Sequence, residues 1–182
     1  MKKQQVASVL GIVILGIGGL YMWSSCRHVK VLDGTVVVQP FDINKYLGTW
    51  YKIARFDFKH EKNLKNVTAT YTLNDNGSVK VINRGFDYKK NKWKDAKGVA
   101  KFVDNSNKGA LKVSFFGPFY AGYNIVAMEP DYKTALIFGE NKNYMWILSR
   151  EKSINNQVKD KFIRIATEAG YDVSRLVWTE QE

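Results

Sequence analysis

Cysteine is almost missing from this chain: Cys26 stands alone among 182 residues, so no internal disulfide can form. Histidine is nearly as scarce, with only His28 and His60, and an ordinary zinc site of cysteine and histidine ligands cannot be assembled from these three. A Cys-His or Ser-His-Asp machine would have to rest on His60, and the sequence flags no partner for it, so His60 reads as a loop side chain. No glycine-rich phosphate loop, dinucleotide fingerprint or internal repeat occurs. Charge is absent from one stretch altogether, the 18 residues from Val6 to Trp23, preceded by Lys2 and Lys3. Elsewhere acidic residues are outnumbered, 17 Asp and Glu against 28 Lys and Arg, for a formal net charge of +11.

The uncharged run behind two lysines has the n-region and h-region of a secretory signal. It is also just long enough to span a bilayer. Ser24-Ser25-Cys26 directly after it resembles a bacterial lipobox, in which the cysteine is lipidated and becomes the mature N-terminus, although Trp23 stands where an aliphatic is usual. Lipidation of Cys26 is the reading adopted, with an uncleaved signal anchor as the alternative. Residues 1–25 are then a lipoprotein signal peptide, 26–40 a tether and 41–182 the folded domain. Arg27, in place of an aspartate, points to the outer membrane under the enteric sorting rule.

Cleavage would remove Lys2 and Lys3 and leave +9. Such a balance favours anionic neighbours such as phospholipid head groups. The lysines are interspersed with acids, as in Lys89-Lys90-Asn91-Lys92-Trp93-Lys94-Asp95, which is the pattern of a solvated face. Nucleic acid is not expected as a partner of an exported chain.

Short strands separated by turn residues argue for an antiparallel barrel or sandwich. The expected strands are Trp50 to Phe58, Val67 to Leu73, Ser78 to Gly85, Lys97 to Val103, Ala110 to Phe116, Tyr120 to Glu129, Ala135 to Gly139 and Tyr144 to Arg150. Val67-Thr68-Ala69-Thr70-Tyr71-Thr72-Leu73 alternates apolar with threonine, the two-residue period of a sheet wall. Asn76-Gly77 suits the hairpin that follows. Ser153 is the expected N-cap of one long helix, whose apolar face is Ile154, Val158, Phe162, Ile165, Ala166 and Ala169, with Gly170 as its end. Val173 to Trp178 reads as a final short strand.

Four separated strings, Tyr46 to Asp57, Val67 to Tyr71, Leu111 to Tyr120 and Tyr144 to Arg150, resemble the lipocalins of the calycin superfamily, and within them the bacterial outer-membrane lipoprotein group. The resemblance implies an all-β fold: an eight-stranded antiparallel up-and-down barrel with a C-terminal helix and a short ninth strand. It implies a structural motif of Gly48 and Trp50, with the Arg150 guanidinium across the Trp50 indole. Asn143-Tyr144 is all that survives of the family's second motif.

For ligand contact the sequence points first to Trp146, which strand parity puts on one side with Leu148 and Arg150. Tyr120 resembles an aromatic of the family's ligand mouth, and Tyr71 and Asn83 are further candidates whose parity a bulge would invert. The expected interior is mainly aromatic and apolar, fitted to an acyl chain. The leading function is therefore a non-enzymatic, membrane-anchored carrier of fatty acids or lysophospholipids with no metal or cofactor. An enzyme on the same barrel and a structural protein whose calyx is filled by its own side chains are the competing readings. A homodimer is left open.

Overall fold

The computed structural model describes Val29 and residues 34–182, so Cys26 and the apolar run before it lie outside the described residues. A short helix, α1 (Ile43–Tyr46), is capped by Asp42, whose carboxylate accepts from Asn44 N at 2.9 Å. Eight strands follow: β1 (Gly48–Phe56), β2 (Leu64–Leu73), β3 (Val79–Asp87), β4 (Lys92–Phe102), β5 (Ala110–Phe116), β6 (Phe119–Met128), β7 (Thr134–Gly139) and β8 (Met145–Ser149). Each pairs antiparallel with the next, and β1 pairs with both β8 and β2, so the sheet closes on itself. Helix α2 (Asn156–Glu168), a 3-10 turn (Val173–Arg175) and β9 (Leu176–Trp178) complete the chain, with β9 added to the upper half of β1.

Several strand and helix limits differ from the sequence reading. β1 stops at Phe56 because Asp57 to Asn63 leave the sheet as a loop of turns, and β2 begins at Leu64. β4 starts at Lys92 rather than Lys97, although its first residues have no apolar face. They are held by pairing to β3, by Lys94 on Asp87 at 2.6 Å and by Arg84 stacked on Trp93 at 4.6 Å. The cap of α2 is Asn155, whose Oδ1 accepts from Val158 N at 2.8 Å, while Ser153 instead offers its carbonyl to Ser149 Oγ at 3.0 Å. Ala169 is exposed, since the helix ends at Glu168 and Gly170 turns away at φ +77°.

Two apolar clusters share the barrel wall. Inside the barrel lie Trp50, Tyr46, Val79, Leu111, Ile137 and Leu148. Outside it, Phe162 and Ala166 of α2 press on Phe138, Ile147 and Phe56. Phe162 is fully buried there, a burial that stabilises by about 1.5–3 kcal/mol.

One seam in the wall is closed differently. β1 and β2 pair only from Gly48–Tyr71 to Tyr51–Thr68; above that the strands part. Residues after β9 bridge the gap: Thr179 N donates to the Ile53 carbonyl at 2.8 Å, Asn66 N to the Glu180 carbonyl at 2.8 Å, and Gln181 Nε2 to the carbonyls of both Lys52 and Val67 at 3.0 Å.

Candidate functional site

Gly48 opens β1 at φ +91°, and a Cβ there would lie 3.3 Å from Arg150 Nη1. Only glycine tolerates both the backbone angle and the approach. The Arg150 guanidinium carbon sits 3.9 Å from the centre of the Trp50 ring. Its Nη1 donates to the Thr49 carbonyl at 2.9 Å, and its Nη2 reaches those of Lys45, Tyr46 and Leu47 at 2.9, 3.1 and 2.7 Å. Trp50 Nε1 donates to the Tyr46 carbonyl at 2.8 Å. These polar groups are answered within the floor itself, so Gly48, Trp50 and Arg150 close the barrel rather than present chemistry to a ligand.

Directly above the floor three phenols meet. The Tyr123 hydroxyl lies 2.6 Å from that of Tyr46 and 2.8 Å from that of Tyr71. Burial pushes all three up, Tyr71 to about 12 and the others well above the ordinary phenol value. They are therefore protonated at neutral pH and form a compact polar spot in an apolar chamber.

The chamber and the open solvent at its mouth together amount to about 660 Å³ of empty space. Trp146, Tyr71 and Asn83 all line it, brought together from β8, β2 and β3. Trp146 stacks on Tyr123 at 6.4 Å and on Tyr144 at 6.2 Å, and meets Phe58 edge-on at 6.2 Å. Tyr120 is not brought to the chamber, which corrects its expected place at the ligand mouth. It lies in the register shift just beyond the pairing of Ala121 with Val113 and Gly122 with Lys112, on the outer face, where Lys112 and Lys101 stand 5.4 and 5.9 Å from its ring. Tyr123, three residues on and of opposite parity, takes the inner position. The sequence signal for Tyr123 was that alternation alone, and for Tyr46 there was none.

The interior is also less apolar than expected. Lys52, two residues after Trp50 and thus on the same face, points inward and pairs with Glu61 from the loop between β1 and β2. Both are buried, at 5% and 6% exposure. Arg55 backs the pair, its Nε 3.6 Å from Glu61 Oε2 and its Nη2 on the carbonyls of Glu61 and Leu64 at 2.9 and 3.2 Å. A register shift between Lys52 and Ala54 is what turns Arg55 inward as well. Trp146 Nε1 completes the cluster at 3.4 Å from Glu61 Oε2. His60, beside it in the loop, packs against Phe58 and Phe116 at 6.2 and 6.5 Å.

Comparison with known proteins meets this geometry at three levels. The fold is similar to the solved structure of insecticyanin from the tobacco hornworm Manduca sexta, with a TM-score of 0.66 at 18% identity over 84% of this chain and 87% of that one. In sequence, the chain is 47% identical to outer membrane lipoprotein Blc of Escherichia coli K12 over 86% of its length and 89% of the relative. It is 42% identical to outer membrane lipoprotein Blc of Vibrio cholerae, over 80% and 85%, and 34% identical to temperature-induced lipocalin-1 of Arabidopsis thaliana, over 80% and 82%. The model of the lipocalin-like domain matches residues 41–181, the span that runs from the residue before the Asp42 cap of α1, through the closed barrel and its Trp50–Arg150 floor, to the tail that seals the seam. A closed eight-stranded barrel with an outer helix, a floor of this build and a match over nearly the whole folded domain make this chain a member of the lipocalin-like family.

Proposed function

We propose that the chain is a lipid-anchored carrier of the bacterial outer membrane that holds fatty acids or lysophospholipids in its barrel and does no covalent chemistry on them. The observation that carries this reading is the chamber: a recess inside the barrel walled by Val79, Val81, Ala100, Leu111 and Val113, with Trp146 in its lining. An acyl chain placed there gains about 25 cal/mol per Å² of apolar surface removed from water, less the cost of immobilising it. Trp146 and Tyr71 form the aromatic contacts, and Asn83 supplies a polar one. The relatives named outer membrane lipoprotein support the location and the anchor.

Titration of delipidated full-length protein with a cis-unsaturated fatty acid, a lysophospholipid and haem tests the assignment. The first two are expected to perturb tryptophan fluorescence with micromolar affinity, and Trp146→Ala to weaken binding while the barrel stays folded. Tight binding of haem alone overturns the lipid reading, and binding of none favours a barrel filled by its own side chains.

Cys26 carries the anchor in this proposal, each buried acyl methylene holding the protein by about 0.8 kcal/mol. Labelled palmitate is expected to enter the parent protein and not Cys26→Ala, which accumulates as a precursor. An unlabelled parent of unchanged size returns the reading to a signal anchor.

A further inference from the structure

The buried cluster at mid-barrel holds two cations and one carboxylate, and the three differ in how they are attached. Lys52 and Arg55 are fixed on β1, between β8 on one side and the seam on the other. Glu61 is carried by the loop from Asp57 to Asn63, which makes no sheet pairing and is held by its own turn bonds, Glu61 N and Lys62 N to the Phe58 carbonyl at 2.9 and 3.0 Å and Leu64 N to the Glu61 carbonyl at 3.3 Å, and by two donors outside it, Arg55 Nη2 to the Glu61 carbonyl at 2.9 Å and Tyr88 N to the Asn63 carbonyl at 3.2 Å. Phe58 of the same loop covers the chamber against Tyr144 and Trp146. A buried ammonium without an anion is strongly unfavourable, so Lys52 requires a negative partner whenever the chamber is dry. The wall provides none: among the residues lining the chamber, Glu61 is the one acid. Arg55 Nε, buried and without a hydrogen-bond partner, faces the same carboxylate.

We propose that Glu61 is an internal stand-in for the head group of an anionic single-chain amphiphile, and that a ligand carboxylate or phosphate replaces it on Lys52 and Trp146 Nε1 while the loop leaves the chamber. The proposal rests on the reading that the chamber takes an acyl chain. It adds the end by which the ligand is recognised and the residue that competes for that place. An empty barrel keeps an anion on Lys52 and Phe58 against Trp146, and a neutral amphiphile, offering no anion, leaves Glu61 where it is.

The test compares oleate, oleyl phosphate and oleyl alcohol on the wild-type protein, Glu61→Gln and Lys52→Met. Glu61→Gln is expected to raise the ratio of oleate affinity to oleyl alcohol affinity at least tenfold, because the competitor has lost its charge. Lys52→Met is expected to bring that ratio close to one. The oleyl phosphate arm tells whether the place accepts phosphate as well as carboxylate. Hydrogen exchange on the wild type needs no variant to fold: saturating oleate is expected to speed exchange of the Glu61, Lys62 and Leu64 amides about tenfold, and oleyl alcohol to leave them protected. If all three ligands bind, the ratio is unchanged in Glu61→Gln and the loop amides respond equally to acid and alcohol, the stand-in role is overturned while the carrier reading survives. If nothing binds to any of the three proteins, both fall together.

Discussion

The floor and the middle of the barrel solve the same problem, a cation against an aromatic interior, in opposite ways. At the floor Arg150 faces no acid among the described residues: four backbone carbonyls and the face of Trp50 hold it, supplied by α1, the linking Leu47 and β1. At mid-barrel Lys52 has one ionic partner, and that partner arrives on a loop. Many neutral contacts from regular structure make a joint that does not open. A single charged contact from a loop makes one that can be exchanged. The family's structural motif thus sits where nothing needs to move, and the chamber's own charge sits where something does.

The largest loss of stability is expected at Trp50. Trp50→Ala is expected to cost about 3–5 kcal/mol in urea denaturation, and Arg150→Ala less. Because the two groups touch, the double variant should fall short of the sum by about 0.5–3 kcal/mol, and additivity would mean that the stacked pair carries no joint energy. At mid-barrel, Glu61→Ala leaves Lys52 buried without its anion and should cost about 3 kcal/mol, whereas Glu61→Leu combined with Lys52→Met should recover only the part of that loss that belongs to Lys52, because Arg55 stays buried with no carboxylate beside it. An equal recovery is not expected from any replacement of Arg150, whose partners are backbone carbonyls that would be left unsatisfied.

The phenols above the floor sharpen the contrast through pH. A folded-state value raised above that of the unfolded chain contributes stability that is whole below about pH 10 and is lost as pH rises through the folded value. For Tyr71, at about 12, the window is pH 10 to 12 and the loss is about 3 kcal/mol. Urea midpoints across that window should fall steeply in the wild type and less so in Tyr71→Phe. The smallest effect belongs to the exposed hairpin tip beyond the mouth: Phe116→Ser and Phe119→Ser should each change stability by no more than about 0.5 kcal/mol, since both rings stand in solvent.

What could be read in the sequence follows from this division. β5 and the alternating part of β2 were legible because one face is apolar and the other is not, and α2 because Phe162 and Ala166 repeat at helical spacing. The first half of β4 was not, since lysines and an aspartate break any apolar face around Trp93 and Ala96 and its place comes from pairing to β3. Trp146 was placed by strand parity, whereas Tyr71 and Asn83 were candidates whose parity a bulge would have inverted. Tyr120 was misplaced because a resemblance to a ligand-mouth aromatic outweighed the parity that turns it outward. Glu61 was invisible: no periodicity governs a loop residue, and a lone acid between Lys59 and Lys62 reads as solvated surface. Arg55 was hidden by the register shift beside Lys52, which no composition rule announces.

The seam between the upper halves of β1 and β2 has a kinetic meaning. Its ties join residues more than a hundred positions apart: Gln181 to Lys52 and to Val67, Glu182 N to Asn66 Oδ1 at 2.7 Å. Contacts of such sequence separation must wait for the largest loops to close, which makes them slow to form. The hairpins β2 to β8 can zip successively from neighbour to neighbour, but the seam waits for the C-terminal segment to come back across the whole domain. Amides of Asn66 and Thr179 should accordingly be the last of the barrel to gain protection in pulse-labelled refolding, well after those of β6 and β7. Until that segment arrives the upper halves of β1 and β2 have no backbone bonds to join them, and the wall is closed there only by the pairing of their lower halves.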